Sequence, residues 1–221
     1  MSPEIARLLA EATWQTLYMV TVAGLAGTLL GLPLGVFLAT SGKGELFQAV
    51  AVNRVLGLVV NAARSTPFII LVVAIIPFTR LVAGTSIGTT AAIVPLTVAA
   101  TPFIARIVEA AIREVDQGLI EASRAMGATA FQIVRKVLLP EALPAIVLGL
   151  TLTAVSLIGY SAMVGAVGGG GLGDLGIRFG YQRFMPEVMA AVVIVLIVLV
   201  QGVQSIGESI ARRVNRRLRT A

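Results

Sequence analysis

Four stretches of this chain, residues 12–42, 81–105, 142–173 and 188–207, contain no Asp, Glu, Lys or Arg. A helix needs roughly 20 apolar residues to cross a bilayer, and each stretch can hold one such span. A fifth run lies between about residues 54 and 79 and is interrupted by Arg64. Charged residues make up 13% of the 221 and hydrophobic ones 57%. A soluble domain carries about 25% charged residues, so this chain has too few to cover a water-facing surface. The expectation is an all-α integral membrane protein with one membrane-embedded unit. Its five spans fall at roughly 14–40, 54–79, 86–108, 142–166 and 187–208.

The leader ahead of the first run carries Glu4 and Glu11 against Arg7. It lacks the basic start of a signal peptide, and its apolar run is too long for one, so the first run reads as an uncleaved span. Five spans place the termini on opposite sides. If the tail is cytoplasmic, so are 41–64 and 106–141, and thirteen of the 17 basic residues lie inside. Arg212, Arg213, Arg216, Arg217 and Arg219 are among them. That asymmetry follows the positive-inside rule and puts the N-terminus outside. The pI near 10.7 therefore reflects topology and not nucleic-acid binding. Arg64 has two readings. Near the cytoplasmic end its stem can snorkel to the headgroups; deeper, it is a functional intramembrane charge.

Glycine and proline stud the spans. Gly24, Gly27, Gly31, Pro33 and Gly35 fall in the first, Pro95 and Pro102 in the third. Small residues let helix backbones approach closely in lipid, and proline is tolerated where neighbours repair the lost hydrogen bonds. Tight packing and hinge points are compatible readings.

Several chemistries are excluded. With no Cys and no His there is no disulfide, no Cys/His zinc site and no histidine acid–base catalysis. No metal ligand set and no catalytic constellation is found. Gly168-Gly169-Gly170-Gly171-Leu172-Gly173 matches G-x-G-x-x-G in letters only, because an apolar span precedes it where the dinucleotide fingerprint needs a strand. The glycine stretch 165–176 reads as a mobile, tightly turning external loop. Asp174 and Glu187 beside it read as solvated. There is no G-x-x-x-x-G-K-[ST], so any ATP-driven step has to be energised by another chain.

The segment from Leu119 to Pro144 stands apart, being amphipathic and rich in charge. Leu119–Met126 fits two helical turns stopped by Gly127. Thr129 and Gln132 have capping-box spacing. The next helix would put Phe131, Val134 and Val137/Leu138 on one face, with Pro140 interrupting it and Pro144 starting the next span. An interfacial helix lying on the bilayer is the plain alternative.

The spacing resembles the coupling signature of ABC-importer permeases: Glu-Ala-Ala, three residues, Gly, nine residues, Ile, one residue, Leu-Pro. Here Glu121-Ala122-Ser123 opens it, Gly127 follows, and Val137 with Leu139-Pro140 closes it. Ser123 and Val137 depart conservatively from Ala and Ile. Arg64-Ser-Thr-Pro-Phe-Ile-Ile, Gly84-Thr-Ser-Ile-Gly88 and Gly159-Tyr-Ser-Ala-Met163 are also similar to methionine-importer permeases, and the likeness runs from about residue 14 to 210.

The resemblance implies a type I importer fold with a coupling segment at 117–139 that docks on a cytoplasmic ATPase. It implies a homodimer, two ATPase subunits holding ATP and Mg, an extracytoplasmic methionine-binding protein, and no cofactor on this chain. Methionine, D-methionine and derivatives are the implied cargo of this inner-membrane subunit. Five helices are few to enclose a solute path, and a twofold interface solves that. A passage for a zwitterion with a thioether should be mostly apolar, with hydroxyls and no fixed charge. Tyr160, Ser161 and Met163 suit such a lining; ordinary packing is the alternative. A permease for another amino acid, a self-contained channel or secondary transporter, and a membrane enzyme are the competing classes. A transporter of its own would need ion-coordinating acids or repeated half-helix breaks.

Overall fold

The computed structural model describes residues 3–219, with side chains to 215. The side chains of Arg216, Arg217 and Arg219 lie outside the described residues. All elements among the described residues are helical: α1 (Pro3–Thr40), α2 (Val50–Ser65), α3 (Phe68–Ala74), α4 (Ile76–Ala83), α5 (Thr89–Arg113), α6 (Gln117–Ala125), α7 (Ala130–Ile133), α8 (Leu139–Gly165), α9 (Gly171–Leu175) and α10 (Pro186–Arg219). Four helices are long and apolar enough to cross a membrane, and α2 with α3 forms a fifth candidate as a bent pair.

The bundle is organised on α1 and α5. Gly27, Gly31 and Gly35 repeat every fourth residue, so they line one face of α1. That face lies directly on α5. A Cβ at Gly31 would stand 2.7 Å from the Thr101 carbonyl oxygen, and one at Gly35 2.5 Å from that of Ala105. The close approach buries Leu96, Ile104 and Val108 completely. The small-residue spacing is thus a packing surface. Pro95 and Pro102 are buried within α5.

The second span is not one helix. α2 and α3 meet at 105°. Thr66 between them is extended (φ −81°, ψ 124°). Pro67 is the cause: its ring disfavours helical backbone in the preceding residue and it has no N–H to continue the ladder.

Pro140, conversely, does not interrupt. A single helix runs from Ala130 to Gly165. The turn before the proline, Val134–Leu138, is a π turn, in which the Leu139 N–H reaches back five residues to the Val134 carbonyl. Widening the turn there makes room for the ring that a regular α-turn would clash with. Ile133, Val134 and Leu138 form the buried face, while Phe131 is exposed, so Phe131 does not share the face expected of it.

The glycine stretch is also more ordered than a loop. Gly168, Gly170 and Gly171 take positive φ and turn the chain into α9, which continues as a π-helical turn over Gly176–Tyr181. Leu172 and Leu175 are buried. The N-terminal N–H groups of α9 have no partner in their own helix. Side chains of α1 supply them: Gln15 Oε1 accepts from the Gly171 N–H and Thr16 Oγ1 from that of Leu172, both at 2.9 Å. Asp174 is not solvated. It is 18% exposed and ion-paired with Arg178 one helical turn on. Glu187 is exposed.

Candidate functional site

Two regions carry exposed chemistry. The first is the connection between α5 and the Ala130–Gly165 helix. Asp116 caps α6 by accepting from the Gly118 N–H at 2.6 Å. The helix runs to Ala125, and Gly127 follows with φ 80°. The left-handed residue lets the Gly127 N–H reach the Arg124 carbonyl and the Ala128 N–H reach that of Ser123. Thr129 and Gln132 then form a reciprocal capping box. Ile120 and Ser123 turn inward, and the Ser123 hydroxyl donates to the Leu119 carbonyl.

Glu121 and Ala122 face outward. So do Met126, 81% exposed, and Phe131, 65% exposed. Both are large apolar side chains left open on a turn otherwise rich in polar residues. Glu121 makes no ion pair among the described residues. Val137, Leu139 and Pro140 are half-buried along the continuous helix. The turn therefore brings Glu121, Ala122 and Gly127 to the surface, and separates them from Val137, Leu139 and Pro140. Met126 and Phe131 were missed in sequence because their apolar character reads as burial.

The second region lies where α2 breaks. Phe68 follows Pro67, and its ring stacks on Tyr160 of α8 with centroids 4.4 Å apart. A cavity of about 130 Å³ opens beside the pair, lined by Arg64, Thr66, Phe68, Ala99, Phe103 and Tyr160. Met163 is 48% exposed and is not part of this lining. Ser161 is buried, and its hydroxyl donates to the Ile158 carbonyl at 2.7 Å. Among the three residues expected in a passage, the fold thus brings only Tyr160 to this cavity. Arg64, Phe68 and Phe103 were the residues that sequence reasoning did not assemble.

A charged cluster continues from the same place along α5. Glu109 is 8% exposed and bridges Arg106 and Arg113. Arg106 also donates to the Gly57 carbonyl at 2.9 Å, fastening α2 to α5. Burying the carboxylate is tolerable because two guanidinium groups and their hydrogen bonds replace its water.

Apolar helices packed through a small-residue face, with a polar cavity at a helix break and an amphipathic turn between two spans, define a multi-pass membrane permease. The chain belongs to the family of binding-protein-dependent transport system inner membrane components, whose model matches residues 31–220. It is 59% identical over 210 residues to the probable D-methionine transport system permease protein of Vibrio cholerae, covering 95% of this chain and 93% of that one. It is 56% identical over 165 residues to the D-methionine transport system permease protein of Escherichia coli K12, covering 75% and 76%. Among solved structures it matches an inward-facing MetNI methionine ABC transporter chain at TM-score 0.95 and 53% identity, covering 97% of this chain and 99% of that one. A second match, an amino acid ABC transporter with histidines, has TM-score 0.79 at 22% identity and speaks for the fold alone. The fold is that of an ABC-importer permease.

Proposed function

We propose that this chain is the membrane subunit of an ATP-driven importer that carries methionine, D-methionine and close derivatives across the inner membrane. The observation that carries the reading is the exposed turn from Glu121 to Phe131, between two apolar helices of a chain whose relatives are D-methionine permeases. Glu121 and Ala122 touch a cytoplasmic ATPase. Ser123 and Gly127 hold the turn's shape, and Val137, Leu139 and Pro140 tie it to the bundle. The chain hydrolyses nothing itself. ATP and Mg sit on two ATPase subunits, the permease is a homodimer in lipid, and an extracytoplasmic methionine-binding protein delivers the cargo. Transport is alternating access at the twofold interface. Tyr160 and Met163 face the passage and Ser161 supports their helix from behind.

The complex of permease, ATPase and binding protein, reconstituted in vesicles, should accumulate labelled methionine with ATP and not with a non-hydrolysable analogue. The purified chain alone should show no ATPase activity. ATP hydrolysis by the isolated chain would overturn the assignment.

The N-terminus is outside and the C-terminus cytoplasmic. Ser2 and Thr220, the natural reporter positions for the two ends, lie outside the described residues. Glu45 and Thr85 are exposed in opposite loops and serve instead. In a cysteine-free chain, an impermeant thiol reagent should label Thr85→Cys on spheroplasts and Glu45→Cys only after permeabilisation. The reverse pattern would invert the topology.

A further inference from the structure

We infer that Arg64 binds the carboxylate of the transported amino acid, in the cavity where α2 breaks from α3. The inference rests on the importer reading above and names a residue and a ligand group within it. Three observations converge. Arg64 lines the cavity next to the stacked Phe68 and Tyr160 rings. Its guanidinium carbon lies 5.6 Å from the centroid of the Phe103 ring. It forms no ion pair among the described residues, because the one nearby carboxylate, Glu109, is already shared by Arg106 and Arg113.

Those three arginines and Glu109 line one open groove along α5. Its charge is therefore net positive, and an anion is the group that fits it. Arg64 is exposed in the last turn of α2, so its guanidinium lies over the Phe103 ring at the open side of the cavity, where a solute can reach it.

An amino acid suits the cavity at both of its ends. Its carboxylate can accept two parallel N–H bonds from a guanidinium. Its apolar side chain meets Phe68, Phe103 and Tyr160, and a thioether contacts aromatic rings favourably. No free carboxylate lines the cavity to receive the ammonium group. Recognition should therefore depend on the carboxylate and tolerate loss of the amine. On this inference the passage holds one unpaired cation, Arg64, against the expectation of none.

The test uses the absence of native cysteine. Thr66 lines the same cavity and is exposed, so Thr66→Cys reports occupancy through its rate of thiol labelling in the assembled complex. Methionine and its deaminated analogue, 4-methylthiobutanoate, should slow labelling, and methioninamide should not. Arg64→Gln should raise the methionine concentration needed for protection about tenfold, the effect of losing one charge-assisted contact, while Arg64→Lys restores part of it. Equal protection by acid and amide would overturn the role of Arg64, with no Arg64 variant needed. Undiminished protection in Arg64→Gln would do the same. Labelling that follows anionic phospholipid content and ignores methionine would make the groove a lipid site and sink the proposal. If the complex with native Thr66 and Arg64 fails to accumulate methionine, the importer reading itself falls, which is a separate result.

Discussion

Gly127→Val and Glu121→Lys should each leave the permease inserted and dimeric, yet cut ATPase docking about 30-fold or more and abolish ATP-driven uptake. The two act by different physics. Gly127 has φ 80°, and beyond its own chain neighbours nothing lies within 4 Å of where its Cβ would be. The valine defect is therefore backbone strain alone, on the order of 1–3 kcal/mol. The turn can escape it only by changing conformation, which breaks the bonds from the Gly127 and Ala128 N–H groups to Arg124 and Ser123. The exposed Met126 and Phe131 on either side of the turn then change their relative positions. Glu121→Lys keeps the backbone and reverses the charge on the outer face of α6. Disrupting a hydrogen-bonded charge pair across an interface costs roughly 2–5 kcal/mol, or about 30-fold and upward. Co-purification of the ATPase with each variant, measured beside labelled-methionine uptake, decides the matter. Normal docking and uptake in both would reduce the segment to an interfacial helix.

The second large effect is expected at Gly35→Val, which should lower the melting temperature of the purified chain by about 2–12 °C and reduce its yield. A Cβ there would stand 2.5 Å from the Ala105 carbonyl oxygen and 2.6 Å from Val108 Cβ. The Ala105 oxygen is backbone and the Val108 Cβ is fixed to the backbone, so neither can swing aside as the end of a flexible side chain can. Overpacking of this kind costs about 1–3 kcal/mol, and a chain of this size loses about 2–4 °C per kcal/mol. Gly202→Ala is the matched control, since nothing lies within 4 Å of its added methyl. It should be neutral or slightly stabilising by helix propensity. Equal melting of the two variants would mean that α1 and α5 are not in the contact described.

What was legible in sequence was local. The stop at Gly127 and the Thr129–Gln132 box need residues only three or four apart, and both stand where the spacing puts them. The Gly31–Gly35 repeat likewise announced a close helix contact. The break at Thr66–Pro67 was equally local and was passed over, because the apolar run on both sides suggested one span. The rest depends on distant partners. The glycine stretch becomes a helix because Gln15 and Thr16, 156 residues away in sequence, satisfy its first N–H groups. Asp174 is held by a helix that glycine composition argued against. The Arg64 site requires a bend in one span, an aromatic face on α5 and a tyrosine on α8, and no window of the chain contains all three.

The continuity of the helix from Ala130 to Gly165 makes it a lever arm. Its foot starts at the turn, three residues beyond Gly127, and Tyr160 lies thirty residues along, about 45 Å at 1.5 Å per residue. A rod of that length, tilted about five degrees at its foot, carries its far end sideways by about 4 Å. Had Pro140 divided the helix, the same tilt would have been absorbed at a joint. The wide turn at Val134–Leu138 instead accommodates the proline while keeping the rod whole. A small displacement of the turn at one membrane face is thereby magnified where Phe68 and Tyr160 meet.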